Sequence, residues 1–555
     1  MVVLKTQSEF GHAPPPQTPN SLITNIPTWK VAQAFRDGDP GPLSKIVHLY
    51  PRFLPMQFAA KLSQAIVEYL GFPDKRAMIY LNPELWPFTQ RHITLEGRGP
   101  HRMSADDVAL KVVDIAGHRV YAVLYEPQNT FGVILSWGAP GLGLSIRGSE
   151  ELLRGVDTMK EVVFEGDDNL PAPTWTPEST AHEGLRERII ELLRRSPIDP
   201  EKVQSTPSDV YLYPSGMGAV YHTTNLLMEY RPGTIVVLGV VFHNTQHHLH
   251  EESPHGYKHV GTVDEAAIDG FESWLETEKQ VGRPVSYAIV EIPGNPTLES
   301  PDLARLKSLS DKYGFPLIVD DTVAGFGNVD VLALSDILLT SLTKSFSGQA
   351  DVMGGSVVLN PLSPHYASLS PRFKAKHRNE LFASDAAVLL SNSRDFLERT
   401  AVLNRNAAAM ARFLHEAKAL PGSPVADVRY PALLPSRPAF DAVKRPGAPE
   451  LPDPGYGCLL TVDFDRLETA VAFYDRCGFY PSPHLGGHVT LIFAYNMAVF
   501  GKKPDERARM RELGVKEEGV RISSGLESEE DLIDTLKDAL EAAIQVKKEL
   551  AASED

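Results

Sequence analysis

The sequence predicts an α/β protein: a mostly parallel sheet with helices on both faces, followed by a smaller α+β domain at the C-terminal end. Three observations predict it. From about residue 184 onward, short runs that are apolar throughout alternate with amphipathic helical patterns, as strands buried on both faces do. Segments carrying Gly, Asp, Ser and Lys fall directly after those runs, where ligands bind in such sheets. Beyond about residue 386 a long helical pattern, a proline-rich stretch and a closing strand-and-helix set replace the alternation.

The elements follow in order. Pro14, Pro15, Pro16 and Pro19 make the first 20 residues an extended lead-in. Residues 26–165 alternate short helical and strand-like patterns, and 108–125 suggests two strands joined by a turn at Gly117-His118. Residues 185–194 form an amphipathic helix. Strands are expected at 209–213, 234–242, 286–292, 316–319 and 336–339, with helices at 217–229, 266–277 and 301–313 between them. Residues 387–417 suggest a long helix or a helix pair. Residues 421–457 hold nine prolines, which excludes regular structure and predicts a long surface excursion. A strand at 457–464, a helix at 467–477 and a helix at 529–549 close the chain. In the last, Leu532, Ile533, Leu536, Leu540, Ala543 and Ile544 recur at helical spacing, and Ser528 precedes an acidic first turn as an N-cap does. The expected division is an N-terminal region at 1–183, a large domain at 184–385 and a C-terminal domain at 386–555.

Length and composition narrow the function classes. A chain of 555 residues predicts three or four units at about 150 residues each. Hydrophobic residues are 43% and charged residues 23%, as in globular proteins. A net charge of −17 argues against nucleic acid or an anionic membrane surface as main partner. The two cysteines, Cys458 and Cys477, are too few for a disulfide framework or a cysteine-rich zinc site, and fit a reducing compartment. The N-terminus lacks the apolar core of a signal peptide. The longest apolar run, about 235–242, falls far short of the ~20 residues of a membrane span. A cytoplasmic protein is expected.

Four segments at strand ends carry chemistry. Tyr213-Pro214-Ser215-Gly216-Met217-Gly218 places backbone N–H groups at a helix start, a cradle for an anion. Gly294-Asn295-Pro296-Thr297 follows another strand and, alone, is a turn. Ile318-Val319-Asp320-Asp321-Thr322 sets two acids behind a buried strand, which is costly unless a cation, a metal or a helix N-terminus meets them. Leu339-Thr340-Ser341-Leu342-Thr343-Lys344-Ser345 offers a lysine among hydroxyls, either reaching solvent or desolvated as a Schiff-base amine. A phosphate cradle, a buried acid and an amine nucleophile are together what pyridoxal phosphate needs.

The ordered set Ser215-Gly216-Met217, Asn295-Pro296, Val319-Asp320-Asp321-Thr322, Ser341-Leu342-Thr343-Lys344 and Asp351-Val352-Met353-Gly354-Gly355 resembles the Cys/Met-metabolism family of pyridoxal-phosphate enzymes, the trans-sulfuration enzymes of aspartate-aminotransferase fold (fold type I). Within it the chain is most similar to the fungal cystathionine γ-synthase branch, through Phe10-Gly11-His12-Ala13-Pro14-Pro15-Pro16, Ile26-Pro27-Thr28-Trp29, Asp37-Gly38-Asp39 and Tyr50-Pro51-Arg52-Phe53. The resemblance implies roles. Lys344 joins the cofactor covalently and moves protons. Asp320 pairs with the ring nitrogen, and Asn295 faces the ring hydroxyl. Gly216 and Met217 by backbone, and Ser341 and Thr343 by hydroxyl, hold the phosphate. Gly519-Val520-Arg521-Ile522-Ser523-Ser524-Gly525-Leu526-Glu527 matches a family pattern in which Arg521 clamps the substrate α-carboxylate.

Departures from the pattern bear on the reaction. Phe242 stands where the family stacks a tyrosine on the cofactor. A family Tyr-x-Arg element is expected near 165–185, and no arginine lies between Arg154 and Arg186. The family's Ser-Leu-Gly near the substrate reads His484-Leu485-Gly486. His243, His247, His248, His250 and His255 cluster after Phe242. His243 and His247 could share a helix face around a metal. The reading carried forward is His243 as a proton donor replacing the missing phenol, with no metal. The implied activity is γ-replacement on an O-acylated homoserine, with L-cysteine as acceptor giving cystathionine. A carbon or other thiol nucleophile in a specialised pathway, and a non-enzymatic relative, are the alternatives. The resemblance also implies a homodimer or homotetramer acting on small amino-acid substrates.

Overall fold

The computed structural model describes residues 2–6, 8–13, 20–50, 54 and 57–554. The prolines of the lead-in and Pro51-Arg52-Phe53 lie outside the described residues.

An antiparallel sheet of strands β1 (Arg76–Tyr80), β2 (Val108–Ile115), β3 (His118–Tyr125) and β4 (Lys160–Glu161), in the order β1-β3-β2-β4, organises the N-terminal region. The β2–β3 turn sits one residue earlier than expected. Ile115 pairs with His118, and Ala116 and Gly117 take φ of 49° and 81°, as a two-residue hairpin turn of primed type requires.

The apolar runs assemble the central sheet from β5 (Val210–Tyr213), β6 (Thr234–Leu238), β7 (Tyr257–Val260), β8 (Val285–Glu291), β9 (Leu317–Asp320), β10 (Ile337–Thr340) and β11 (Gly355–Leu359). Their order is β5-β11-β10-β9-β8-β6-β7. All pairs are parallel except those of β11, which runs antiparallel to both β5 and β10. Period-2 alternation sends Leu212, Val236, Ala288, Val319 and Leu338 into one core and Tyr211, Val237, Ile289, Ile318 and Leu339 into another, so helices cover both faces. Each Val, Leu or Ile among them contributes about 1.5–3 kcal/mol on burial.

Two expectations here needed correction. The run 234–242 ends as a strand at Leu238, because Gly239 turns the chain with φ of 73° and a helix begins at His243. Strands β7 and β11 were not foreseen. The former, Tyr-Lys-His-Val, is a half-buried edge strand with no apolar run.

The C-terminal sheet joins β12 (Val425–Arg429), β13 (Leu459–Phe464), β14 (Tyr480–Pro481), β15 (Leu491–Phe493) and β16 (Gly519–Ser523), in the order β12-β13-β16-β15-β14. Helices Phe396–Lys418, Leu467–Arg476 and Glu529–Glu554 pack against it through Met410, Leu414, Phe473, Leu532 and Leu536. The stretch 387–417 is a helix pair, Ala383–Asn392 and Phe396–Lys418. The stretch 421–457 is not an excursion. Its proline-free segment Val425–Arg429 forms an edge strand, the place a proline-flanked strand can occupy. Farther on, buried Arg445 ties it down by donating to Phe326 O at 2.8 Å and Arg195 O at 2.9 Å. Ser528 caps the last helix, its hydroxyl accepting from Asp531 N at 3.2 Å.

An N-terminal strap threads these parts together. Leu22 N donates to Ala350 O, Ile26 N to Pro481 O and Trp29 N to the Asp475 carboxylate, at 2.8, 2.9 and 2.6 Å. The strap carries Tyr50 to the carboxyl ends of the central strands. Among the described residues no helix is long and apolar enough to cross a membrane.

Candidate active site

Strand β5 delivers the first wall. Ser215 caps the helix Gly216–Tyr230, its Oγ accepting from Gly218 N at 2.9 Å and donating to Gly141 O at 2.7 Å. The first N–H groups of a helix have no partner within it, so Gly216 and Met217 begin an anion site. The fit around Gly216 is close: a Cβ there would stand 2.7 Å from Ser341 Cβ and 2.8 Å from its Oγ. Ser341 is set in turn by its own N–H, which donates to Thr322 Oγ1 at 2.8 Å.

Strands β8, β9 and β10 deliver the charged groups. Glu291 and Asp320 end neighbouring strands side by side. Asp320 Oδ1 accepts from Thr322 N at 2.9 Å, and burial pushes this carboxyl up to about 6. Among the described residues no lysine or arginine pairs with it. Glu291 Oε1 accepts from Phe242 N at 2.6 Å; burial and the charge of Asp320 hold its pKa well above the usual carboxylate range. Asp321 is the structural acid of the two: it accepts from the Thr340 hydroxyl at 2.6 Å, and burial pushes it up to about 7.

Half-buried Lys344 follows β10. Its Nζ lies 3.4 Å from His484 Nδ1 and 4.9 Å from the ring centre of Tyr50. Burial, then the charges of Lys344 and Arg521, hold the His484 imidazole well below its ordinary pKa, so it is neutral at pH 7.

The C-terminal sheet contributes Arg521 from β16. The guanidinium is buried and donates to Pro483 O at 2.7 Å, His484 O at 3.3 Å and Asn295 Oδ1 at 3.1 Å. The ring of Tyr495 lies 4.0 Å from its carbon, a cation–π contact. The Tyr495 hydroxyl is 3.0 Å from His243 Nδ1.

Ten of the residues expected from sequence line one cavity of about 440 Å3: Gly216, Met217, Phe242, His243, Asn295, Asp320, Ser341, Lys344, His484 and Arg521. Thr343 does not. Its hydroxyl donates to Gly354 O and accepts from Gly354 N, both at 3.1 Å, fixing the backbone behind the lysine. His247 faces Glu506 at 2.6 Å, and among the described residues no group of three or more His, Cys, Asp or Glu could hold a metal. Sequence reasoning missed Tyr50, Glu291 and Tyr495. Tyr50 had a weak signal: Tyr50-Pro51-Arg52 has Tyr-x-Arg spacing, with Arg52 outside the described residues.

The residues present fit pyridoxal phosphate. A buried acid without a cation awaits a protonated ring nitrogen. A backbone cradle that a Cβ would fill awaits a phosphate. An amine shares the cavity with both. Glu291 Oε2 and His484 Nε2 are buried there with no hydrogen-bond partner among the described residues.

Comparison with known proteins agrees. Residues 202–541 match the family model described as Cys/Met metabolism PLP-dependent enzyme. Alanine racemase ungC of Aspergillus violaceofuscus is 30% identical over 96% of this chain and 96% of its own length. Cystathionine γ-synthase of Neurospora crassa is 35% identical over 60% of this chain, which spans about half, 52%, of that relative. Cystathionine γ-synthase of Xanthomonas oryzae pv. oryzae, solved with aminoacrylate and cysteine, shares the fold at TM-score 0.51 and 22% identity, covering 66% of this chain and 99% of that one. The architecture is therefore the fold type I of those enzymes, and the chain belongs to the Cys/Met metabolism family of pyridoxal-phosphate-dependent enzymes.

Proposed function

We propose that the protein catalyses γ-replacement on an O-acylated L-homoserine. The observation that carries the reading is Arg521. It is buried, held on three acceptors, and shares a cavity with the Lys344 amine. A guanidinium so fixed suits an α-carboxylate, and sets the amino acid's Cα and Cβ toward Lys344.

Gly216, Met217 and Ser341 would hold the cofactor phosphate, Asp320 the ring nitrogen, Asn295 the ring hydroxyl and Phe242 a ring face. Bound pyridoxal phosphate supplies an electron sink that acidifies the α- and then the β-hydrogen of the amino acid. Lys344 Nζ would receive the α-proton, hand it on and, neutral again, receive the β-proton. Neutral His484 can accept a hydrogen bond from that nitrogen and hold it in place. Phe242 offers no hydroxyl, and the His243–Tyr495 pair is the proton donor available on that side. Relatives named for γ-synthase and racemase chemistry share the demand for α-proton removal, which these residues meet. A homodimer or homotetramer belongs to the same proposal, with Tyr50 reaching the cavity of its own chain.

Purified holoenzyme given O-acetyl-L-homoserine alone is expected to consume water and release acetate, ammonium and 2-oxobutyrate, and with an acceptor to divert the four-carbon unit, amino group included, into an adduct. Inversion at Cα without acetate release would mean a racemase and would overturn the reading.

A further inference from the structure

The cavity holding Lys344 has a second kind of wall. Leu43 and Leu54 come from the N-terminal region, Phe131 and Leu135 from the helix Thr130–Gly138, and Val499 from the helix Tyr495–Phe500. None belongs to the strand ends that carry the polar groups. These side chains are partly open, Leu135 by 41%, so a ligand covering them removes apolar surface from water. Lys502 also lines this part. It makes no hydrogen bond or ion pair among the described residues, and its charge is felt by Asp37 and His101. In a chain of net charge −17, a cation beside an apolar wall is a place for a carboxylate.

We infer that this wall is the acceptor subsite, and that the second substrate is a nucleophile with an apolar body and a carboxylate end rather than cysteine. The inference rests on the γ-replacement reading. Cysteine, small and zwitterionic, would leave the leucines wet. The reaction balances without an oxidant or reductant. The donor's γ-carbon–oxygen bond breaks with its electron pair leaving on acetate. The acceptor loses one proton from sulfur or from an acidic carbon, and a γ-carbon–sulfur or γ-carbon–carbon bond forms.

The test supplies holoenzyme with O-acetyl-L-homoserine and pits L-cysteine against 3-mercaptohexanoate and, separately, against 3-oxohexanoate. The two arms distinguish a thiol from a carbon acceptor. At least one apolar carboxylate is expected to exceed cysteine tenfold or more in kcat/KM. Leu43→Asn and Leu135→Asn, nearly isosteric at partly exposed positions, should lower that ratio fivefold or more, and Leu43→Met and Leu135→Met should keep it. Hexanoate binding, followed by calorimetry without donor, should weaken in the asparagine variants and in Lys502→Ala. Acetate release with cysteine preferred over both carboxylates overturns the inference and leaves γ-replacement standing. No acetate release with any acceptor overturns both.

Discussion

Lys344 Nζ and His484 Nδ1 lie 3.4 Å apart, joining the turn after the central strand β10 to a loop of the C-terminal domain. The contact places a neutral base beside the reactive amine, and the imidazole stays neutral because burial and two cations oppose its protonation. Replacing His484 by Phe removes the partner and keeps the volume. We expect kcat to fall about tenfold to a hundredfold, the scale of one proton-transfer partner. Cofactor absorbance should remain, and His484→Asn should recover part of the loss, which a purely packing role would not predict.

Asp320 makes stability depend on pH and on cofactor. Its carboxyl titrates near 6 when folded, against 3.8 unfolded, so the folded cofactor-free protein holds a proton that the unfolded chain has already lost. The resulting destabilisation is absent below about pH 3.8 and complete above about pH 6. Asp320→Asn should therefore stabilise the cofactor-free protein at pH 7 by on the order of 2–3 kcal/mol, with no gain at pH 3.5. The same variant should bind cofactor less tightly, as thermal melts with and without pyridoxal phosphate would read.

Gly216 tests the phosphate cradle. Gly216→Ala places a methyl group within 3 Å of Ser341. Cofactor dissociation should rise at least about tenfold, the scale of losing one charge-assisted hydrogen bond. The crowding should also destabilise the cofactor-free protein by about 1–3 kcal/mol, so dissociation is read at a temperature where both proteins are folded.

Arg521→Lys keeps the charge and loses the planar fork. We expect KM for O-acetyl-L-homoserine to rise about tenfold to a hundredfold, as the loss of one charged hydrogen bond of a bidentate pair implies. Cofactor absorbance should be unchanged.

The central sheet was legible because its strands are apolar on both faces, so Val210–Tyr213, Val285–Glu291 and Leu317–Asp320 stand out without any partner in view. The edge strand Tyr257–Val260 and the strand Val425–Arg429 were not, since edges carry mixed polarity and prolines on either side masked the second. Motif spacing located Lys344, Asp320 and Asn295, which the fold gathers at the ends of three central strands, and Arg521, which comes from the middle of β16. It did not place Tyr495, which reaches the cavity through packing of the C-terminal domain, and the Tyr-x-Arg spacing at Tyr50 gave no hint that the strap carries this ring to the cavity. Thr343 shows the converse. Its place in Ser-Leu-Thr-Lys suggested phosphate, but a hydroxyl one residue before the lysine turns inward, onto Gly354.

The most direct measurement is to reduce the holoenzyme with borohydride, digest it, and find by mass spectrometry which lysine carries the cofactor. We predict one adduct, on Lys344, and its disappearance together with visible absorbance in Lys344→Ala. An adduct on another lysine, or none, would contradict the assignment of this cavity as the catalytic centre.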